Sequence, residues 1–151
     1  PADYTYAPPN KKWGSRGLYL PSLKKEGMGE IVVGCDTSGS IDKDTLEEYL
    51  GALRVLVENI MPDKVHVAYC DADLIVDVFE RGAPFNPEPR GGGGTDFRPV
   101  FTYADGVSPA CMIYFTDLDG SFPDKAPEYP VLWITKDRDK KDVPFGELVT
   151  L

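Results

Sequence analysis

Three oxygen-bearing side chains follow an apolar run at two-residue steps. The run is Ile31 to Cys35, and Asp36, Ser38 and Ser40 come directly after it. Residues two apart in an extended or turning segment can face the same side, so one carboxylate and two hydroxyls can act together. Such hard oxygen ligands select Mg²⁺, Mn²⁺ or Ca²⁺ over zinc. The same loop could also be a simple serine-rich turn that leads into a helix, with Asp36 as a local cap.

Two other loops carry oxygen donors that could meet the first one. Thr95 follows the four glycines Gly91 to Gly94, which would let the backbone bring its side chain close to a metal without steric conflict. Thr116 and Asp117 follow the apolar run Ala110 to Phe115. All three loops offer oxygen donors and no soft ligands, so their convergence would favour a hard cation.

Strand and helix patterns alternate along the chain and predict how these loops are placed. Apolar or alternating runs predict five strands and a further edge strand within Gly146 to Leu151: Glu30 to Cys35, Lys64 to Cys70, Leu74 to Phe79, Ala110 to Phe115 and Val131 to Thr135. The two middle strands are separated by only three residues, too few for a crossover helix, so they should pair as an antiparallel hairpin.

Two helices complete the predicted fold. Leucines at three- and four-residue steps predict a helix from Asp44 to Ile60, with Asp44 and Glu47 as its capping pair and Pro62 ending it. A short helix should follow the glycine run, with Phe97, Val100, Phe101 and Ala104 on one face and Pro99 in its first turn. The prediction is an α/β fold with a doubly wound, mostly parallel sheet, helices on both faces and one antiparallel edge strand. Ligands bind at the carboxyl ends of the strands in such sheets, where all three loops lie.

Composition narrows the domain organisation and the classes of partner. Residues 1–29 are basic and contain Pro and Gly, which predicts an extended arm or linker, whereas residues 30–151 form the folded domain. The net charge of −9 argues against nucleic acid as the main partner. No apolar run approaches the roughly 18 residues that span a membrane. Cys35, Cys70 and Cys111 lie in apolar runs without metal-binding spacing, which suits reduced thiols and a cytoplasmic protein.

Several motifs together resemble one known family. The loop Asp36-Thr37-Ser38-Gly39-Ser40, then Thr95, then Asp117 after a strand, resembles in order and spacing the metal-ion-dependent adhesion site of von Willebrand factor A-like domains. The likeness extends through Gly92 to Phe101, Tyr114 to Asp117 and Pro130 to Trp133. The chain is similar to a bacterial subgroup in which such a domain lies C-terminal to a metallopeptidase-like domain, and the likeness covers residues 30–151. The resemblance implies that residues 1–29 are an arm or linker to a missing upstream domain.

The resemblance implies a function and a ligand set. Ser38, Ser40 and Thr95 would offer hydroxyl ligands to Mg²⁺, or to Mn²⁺ or Ca²⁺, while Asp36 and Asp117 would bind it directly or through water. Because the three hydroxyls are neutral, the cation would keep a position for an Asp or Glu carboxylate of a protein partner. The resemblance further implies that the protein functions together with a MoxR-type AAA+ ATPase. The sequence departs from the usual pattern at Asp117-Leu118-Asp119-Gly120, where many members have Asp-Gly directly.

An enzyme is the alternative reading. The run Ile113 to Ser121 resembles the first motif of haloacid dehalogenase-like phosphatases, with Asp117 as nucleophile and Asp119 as acid/base beside Mg²⁺. Those enzymes carry the motif on their first strand and other catalytic residues far downstream, but here only about thirty residues follow it. A serine hydrolase would need a base, and the only histidine, His66, falls in mid-strand. The expectation is therefore a non-enzymatic binding module.

Overall fold

The computed structural model describes residues 11–13, 18–20, 29–36, 42–70, 74–87, 96–136 and 142–151. Strands β1 (Lys11–Trp13) and β2 (Leu18–Leu20) pair antiparallel as a separate two-stranded sheet. The main sheet has six strands: β3 (Glu30–Asp36), β4 (Lys64–Cys70), β5 (Leu74–Glu80), β6 (Cys111–Phe115), β7 (Val131–Thr135) and β8 (Glu147–Thr150). The helices are α1 (Lys43–Ile60) and α2 (Arg98–Val107).

The main sheet is doubly wound, and its order is β5-β4-β3-β6-β7-β8. All neighbours pair parallel except β4 and β5, which form the predicted antiparallel hairpin at one edge. The chain leaves β3 through α1 to β4 on one side, and β6 lies on the other side of β3. The carboxyl ends of β3 and β6 therefore form the switch point of the sheet, and the predicted fold class is confirmed.

In the described part of the chain, each face of the sheet is covered by one helix. The stripe of α1 that includes Tyr49, Leu53 and Leu56 packs on the face formed by residues such as Val33 and Ile113. On the other face α2 contributes Phe101 and Val100 to an aromatic cluster of Phe97, Phe101, Tyr114, Phe122, Trp133 and Phe145. Neither helix of the described chain is both long and apolar enough to cross a membrane.

The start of α1 corrects one local prediction. The helix begins at Lys43, and Asp42, not Asp44, is its N-cap: a carboxylate oxygen of Asp42 accepts the backbone N–H of Thr45 at 2.7 Å. Asp42 fits the cap because its backbone is extended and its side chain reaches the N-H groups of the first turn. The helix ends at Ile60, with Met61 in a left-handed C-cap before Pro62, as the proline predicts.

The Asp42 cap predicts a pH-dependent contribution to stability. The Thr45 N–H holds the pKa of Asp42 below its ordinary value, so the contribution is present above the unfolded pKa and is lost as pH falls through the folded one. Asp42→Ala should lower the melting temperature by a few degrees at pH 7, whereas Asp42→Asn should retain the cap but lose this pH dependence. Thermal unfolding between pH 2 and 7 measures both. Identical acid profiles for wild type and Asp42→Asn would contradict the assignment.

Candidate metal site at the sheet switch point

Asp36 lies at the centre of the sheet edge where ligands are expected. Asp36 is the last residue of β3, which extends one residue beyond the predicted end at Cys35, and the exposed fraction of Asp36 is only 3%. Because Cys35 is in register with Phe115 of β6, the residues that follow Phe115 lie beside Asp36. A carboxylate so deeply buried needs hydrogen bonds or a cation to offset its lost hydration.

Thr116 holds the Asp36 carboxylate. Its hydroxyl donates to Oδ2 of Asp36 at 2.6 Å and accepts the backbone N–H of Leu118 at 3.0 Å. Thr116 is fully buried, and its own N–H donates to the carbonyl of Ile134 in β7. Thr116 was absent from the ligand set implied by the resemblance. The sequence placed Thr116 in a loop that could meet Asp36, but its contact with that carboxylate depends on β3 and β6 being neighbours.

We expect Thr116→Val to destabilise the domain by about 1–3 kcal/mol. The substitution keeps the shape of the side chain but leaves the Asp36 carboxylate without this donor and the Leu118 N–H without this acceptor, both in a buried setting. Thr116→Ser keeps the hydroxyl and serves as the matched control, with a much smaller expected loss. Urea unfolding in EDTA measures both variants, and an equal loss in the two would assign the effect to packing instead of hydrogen bonding.

Asp117 is fixed by a tight turn. Its Oδ1 accepts the backbone N–H of Asp119 at 3.0 Å, and between them Leu118 adopts a left-handed backbone with φ of 71°. Such a conformation is unusual for leucine, but its side chain is buried in the α2-side core. The packing of Leu118 and the hydrogen bonds from the N–H groups of Leu118 and Asp119 to the side chains of Thr116 and Asp117 therefore fix the path of the chain after β6.

Tyr49 of α1 lies beneath this edge of the sheet. Its buried ring packs on Phe115 with centroids 5.3 Å apart, and its hydroxyl accepts the backbone N–H of Lys136 at 3.3 Å. Burial raises the pKa of Tyr49 to about 12, and the negative charges of Asp117 and Asp36 contribute to the rise. Both carboxylates therefore lie close enough to this buried hydroxyl to disfavour its ionisation.

The segment that enters α2 is tied to the same region. Asp96 forms a parallel bridge with Ser121, and the N–H of Phe97 donates to the Ser121 carbonyl at 3.0 Å. The guanidinium and backbone N–H of Arg98 donate to the Asp96 carboxylate and hold its pKa below the ordinary value. The chain next to Thr95 is therefore fastened to the loop that follows Asp117.

The structure brings together two of the five predicted metal ligands. Asp36 and the Thr116-Asp117 pair meet at the switch point, whereas Ser38, Ser40 and Thr95 lie outside the described residues. Within the described part of the chain, no group of three or more His, Cys, Asp or Glu side chains could hold a metal ion. The donors that do meet are carboxylate and hydroxyl oxygens, and this chemistry fits Mg²⁺, which uses few protein ligands and prefers oxygen.

His66 lies at the opposite end of the sheet. Its Nε2 is 2.6 Å from Glu30 Oε1, and its Nδ1 is 2.7 Å from the Tyr103 hydroxyl of α2. Glu30 begins the strand that Asp36 ends, which separates them by about 20 Å at the rise of a β-strand. His66 is 7% exposed, so it is a packed histidine that links β3, β4 and α2.

Comparisons with known proteins bear on this fold. A family model described as "VWA-like domain (DUF2201)" matches residues 31–151. The crystal structure of the ArnB paralog VWA2 from Sulfolobus acidocaldarius is similar, with a TM-score of 0.56 at 17% sequence identity, over 72% of this chain and 34% of that chain. The chain thus spans about a third of the length of that protein, and the likeness concerns the fold. No curated protein matches the chain. None of these comparisons supports the haloacid dehalogenase-like reading of Asp117 and Asp119.

Proposed function

The chain belongs to the VWA-like domain family DUF2201, and on that premise we propose that it is a divalent-metal-dependent protein-interaction module. One observation carries the proposal: the buried Asp36 carboxylate, held by Thr116 at 2.6 Å, ends the central strand beside the turn that presents Asp117. Carboxylates placed at a switch point are well suited to a cation, since ligand sites form at this edge of doubly wound sheets.

The proposed ligands are Asp36, Ser38, Ser40, Thr95 and Asp117. When bound, Mg²⁺ (or Mn²⁺ or Ca²⁺) would supply a positive charge and a coordination position that an Asp or Glu of a partner protein fills. Thr116 orients the Asp36 carboxylate through its hydroxyl, and the Asp119 N–H orients that of Asp117. Three of the five ligands are neutral hydroxyls and only two are carboxylates, so the ion is not over-neutralised and can still accept a partner carboxylate at its remaining position.

The proposal assigns binding and no reaction to this chain. A hydroxyl nucleophile at Ser38 or Ser40 would need a base, and the sequence has one histidine. That histidine, His66, is hydrogen-bonded to Glu30 and Tyr103 at the other end of the sheet. Any peptidase-like activity would belong to an upstream domain. We further propose a cytoplasmic protein that works with a MoxR-type AAA+ ATPase, as the family resemblance implies.

Retention of partners on the immobilised protein tests the proposal. A purified MoxR-type AAA+ ATPase and a cell extract would be applied in 5 mM Mg²⁺ and eluted with EDTA. We expect EDTA to release the partner and Asp36→Ala to retain none, whereas Glu58→Gln, on the exposed face of α1, should behave as wild type. Retention that survives both chelation and Asp36→Ala would show that the metal is not the contact.

A further inference from the structure

A groove of about 650 Å³ opens at the edge of the sheet opposite Asp36. One wall is the last turn of α2 with Asp105 and Ser108, and Phe101 contributes apolar surface. The other wall is the loop from Pro123 to Pro130, which leads into the amino end of β7. Ala110, just before β6, also lines the groove. This location separates the groove from the proposed metal site by the length of the strands.

The groove is rigid and rich in hydrogen-bond acceptors. Four of its lining residues are prolines: Pro109, Pro123, Pro127 and Pro130. Proline restricts the backbone and has a carbonyl but no N–H, so each one removes a donor. The Pro130 carbonyl already accepts the backbone N–H of Met112 at 2.9 Å, so the other three prolines supply the acceptors. The end of α2 adds carbonyl groups that lack intrahelical partners. A ligand that fits such walls must itself be rich in donors.

Asp105 and Tyr129 give the groove a charged and aromatic centre. The Tyr129 hydroxyl donates to Oδ1 of Asp105 at 3.1 Å, which fixes both side chains. Burial, followed by the bond to Asp105, raises the pKa of Tyr129, so the phenol remains a donor and the carboxylate an acceptor. The bond uses one oxygen of Asp105, and within the described residues no hydrogen bond to the second oxygen is found.

The charges around the groove favour a cation. Its lining includes two acidic residues, Asp105 and Glu128, and one basic residue, Lys125. The last turn of α2 contains no basic residue, so the negative end of its dipole is not offset there. An aromatic ring beside a carboxylate attracts a guanidinium or ammonium group through its face. The net charge of −9 draws basic partners toward the whole chain.

We propose that this groove binds an arginine side chain presented by an extended segment of a partner protein. Arginine fits better than lysine because its planar guanidinium has five donors, stacks on an aromatic face and is weakly hydrated. Asp105 accepts the guanidinium, the Tyr129 ring contacts it, and the apolar walls hold the flanking residues. This second surface does not depend on the proposed metal site.

A titration followed by NMR tests the groove. The probe is a capped peptide of alternating arginine and alanine, added to the ¹⁵N-labelled protein in EDTA; the control probe replaces each arginine by uncharged citrulline. We expect amide shifts at Ser108, Ala110 and the non-proline residues Lys125, Ala126, Glu128 and Tyr129 with the arginine probe alone. Asp105→Asn should weaken binding about five-fold, by loss of a charge-assisted hydrogen bond, and Tyr129→Leu about three-fold, by loss of the ring.

The control variant is Glu58→Gln, which removes an exposed carboxylate from α1 and should leave binding unchanged. Equal weakening in Glu58→Gln and Asp105→Asn would reduce the effect to general charge attraction and overturn the proposal. Equal binding of the citrulline probe would do the same, as would groove shifts that appear with protein concentration alone, which would indicate a second copy of this chain. Since EDTA is present throughout, the absence of peptide binding would not contradict the metal-site proposal. Likewise, a failure of the metal-dependent retention test would not contradict the groove proposal.

Discussion

Replacing Asp36 by alanine should abolish the stabilisation that Mg²⁺ gives to this domain. A ligand that binds only the folded state adds about 2.7 kcal/mol at 100 times its Kd, so Mg²⁺ should raise the wild-type melting temperature measurably. Asp36 is the one proposed ligand at the end of the central strand, and its carboxylate is 3% exposed. Its loss removes the charge around which the other donors are arranged. Thermal unfolding in EDTA and in Mg²⁺ measures the difference.

Asp36→Asn separates loss of binding from loss of fold. Asparagine keeps an oxygen that can accept the Thr116 hydroxyl, so the buried hydrogen bond can persist while the charge is removed. We expect this variant to unfold cooperatively in EDTA and to show no shift with Mg²⁺. A Mg²⁺ shift equal to that of wild type in either variant would mean that Asp36 is not a ligand.

The second large effect concerns stability. Gly34 in β3 lies against the ring of Tyr114, and a Cβ at this position would be 2.6 Å from Tyr114 Cδ2 and Cε2. The ring has little room to move, since it stacks on Trp133 at 5.4 Å and on Phe101 at 6.0 Å. Gly34→Ala should therefore cost about 2–3 kcal/mol of unfolding free energy, within the range for overpacked cores.

Gly51→Ala is the matched control for the same chemical change. Gly51 lies in α1, and a Cβ there would have no neighbour within 4 Å. The added methyl should stabilise the domain by up to about 1 kcal/mol, because alanine is the better helix former and restricts the unfolded chain. Denaturant unfolding of the two variants should give changes of opposite sign. A neutral Gly34→Ala would show that the aromatic cluster can relax.

Much of the fold could be predicted because it depends on patterns within single elements. The apolar run from Ile31 to Cys35 and the stripe of α1 specify buried faces, and the three-residue gap after Cys70 excludes a crossover helix. Details that depend on single hydrogen bonds were harder to predict. The capping role of Asp42 instead of Asp44 rests on one hydrogen bond to Thr45.

The candidate site shows the same division. Asp36 and Asp117 could be predicted because each follows an apolar strand, and the strands carry them to one edge. The role of Thr116 depends on β3 and β6 being neighbours, which no local pattern encodes. The left-handed backbone of Leu118 likewise depends on its packing against the α2-side core. The predicted ligands Ser38, Ser40 and Thr95 stay predictions, since they lie outside the described residues.

The two proposed surfaces lie at opposite ends of the same strands. Asp36 ends β3 at the carboxyl edge, whereas the groove borders the amino ends of β6 and β7. Strands of a parallel sheet are rigid and cannot bring their two ends together, so one partner chain would have to extend along the domain to contact both. We therefore expect the metal-dependent and the arginine-dependent contacts to be separable by mutation.

Anomalous diffraction from crystals grown with Mn²⁺ tests the metal site most directly. Mn²⁺ takes the same oxygen ligands as Mg²⁺ and gives an anomalous signal that locates the ion. We predict one strong peak beside the Asp36 and Asp117 carboxylates, with hydroxyl oxygens of Ser38, Ser40 and Thr95 about 2.1–2.2 Å away. The absence of a peak at this edge of the sheet, in crystals grown at millimolar Mn²⁺, would contradict a metal-dependent interaction module.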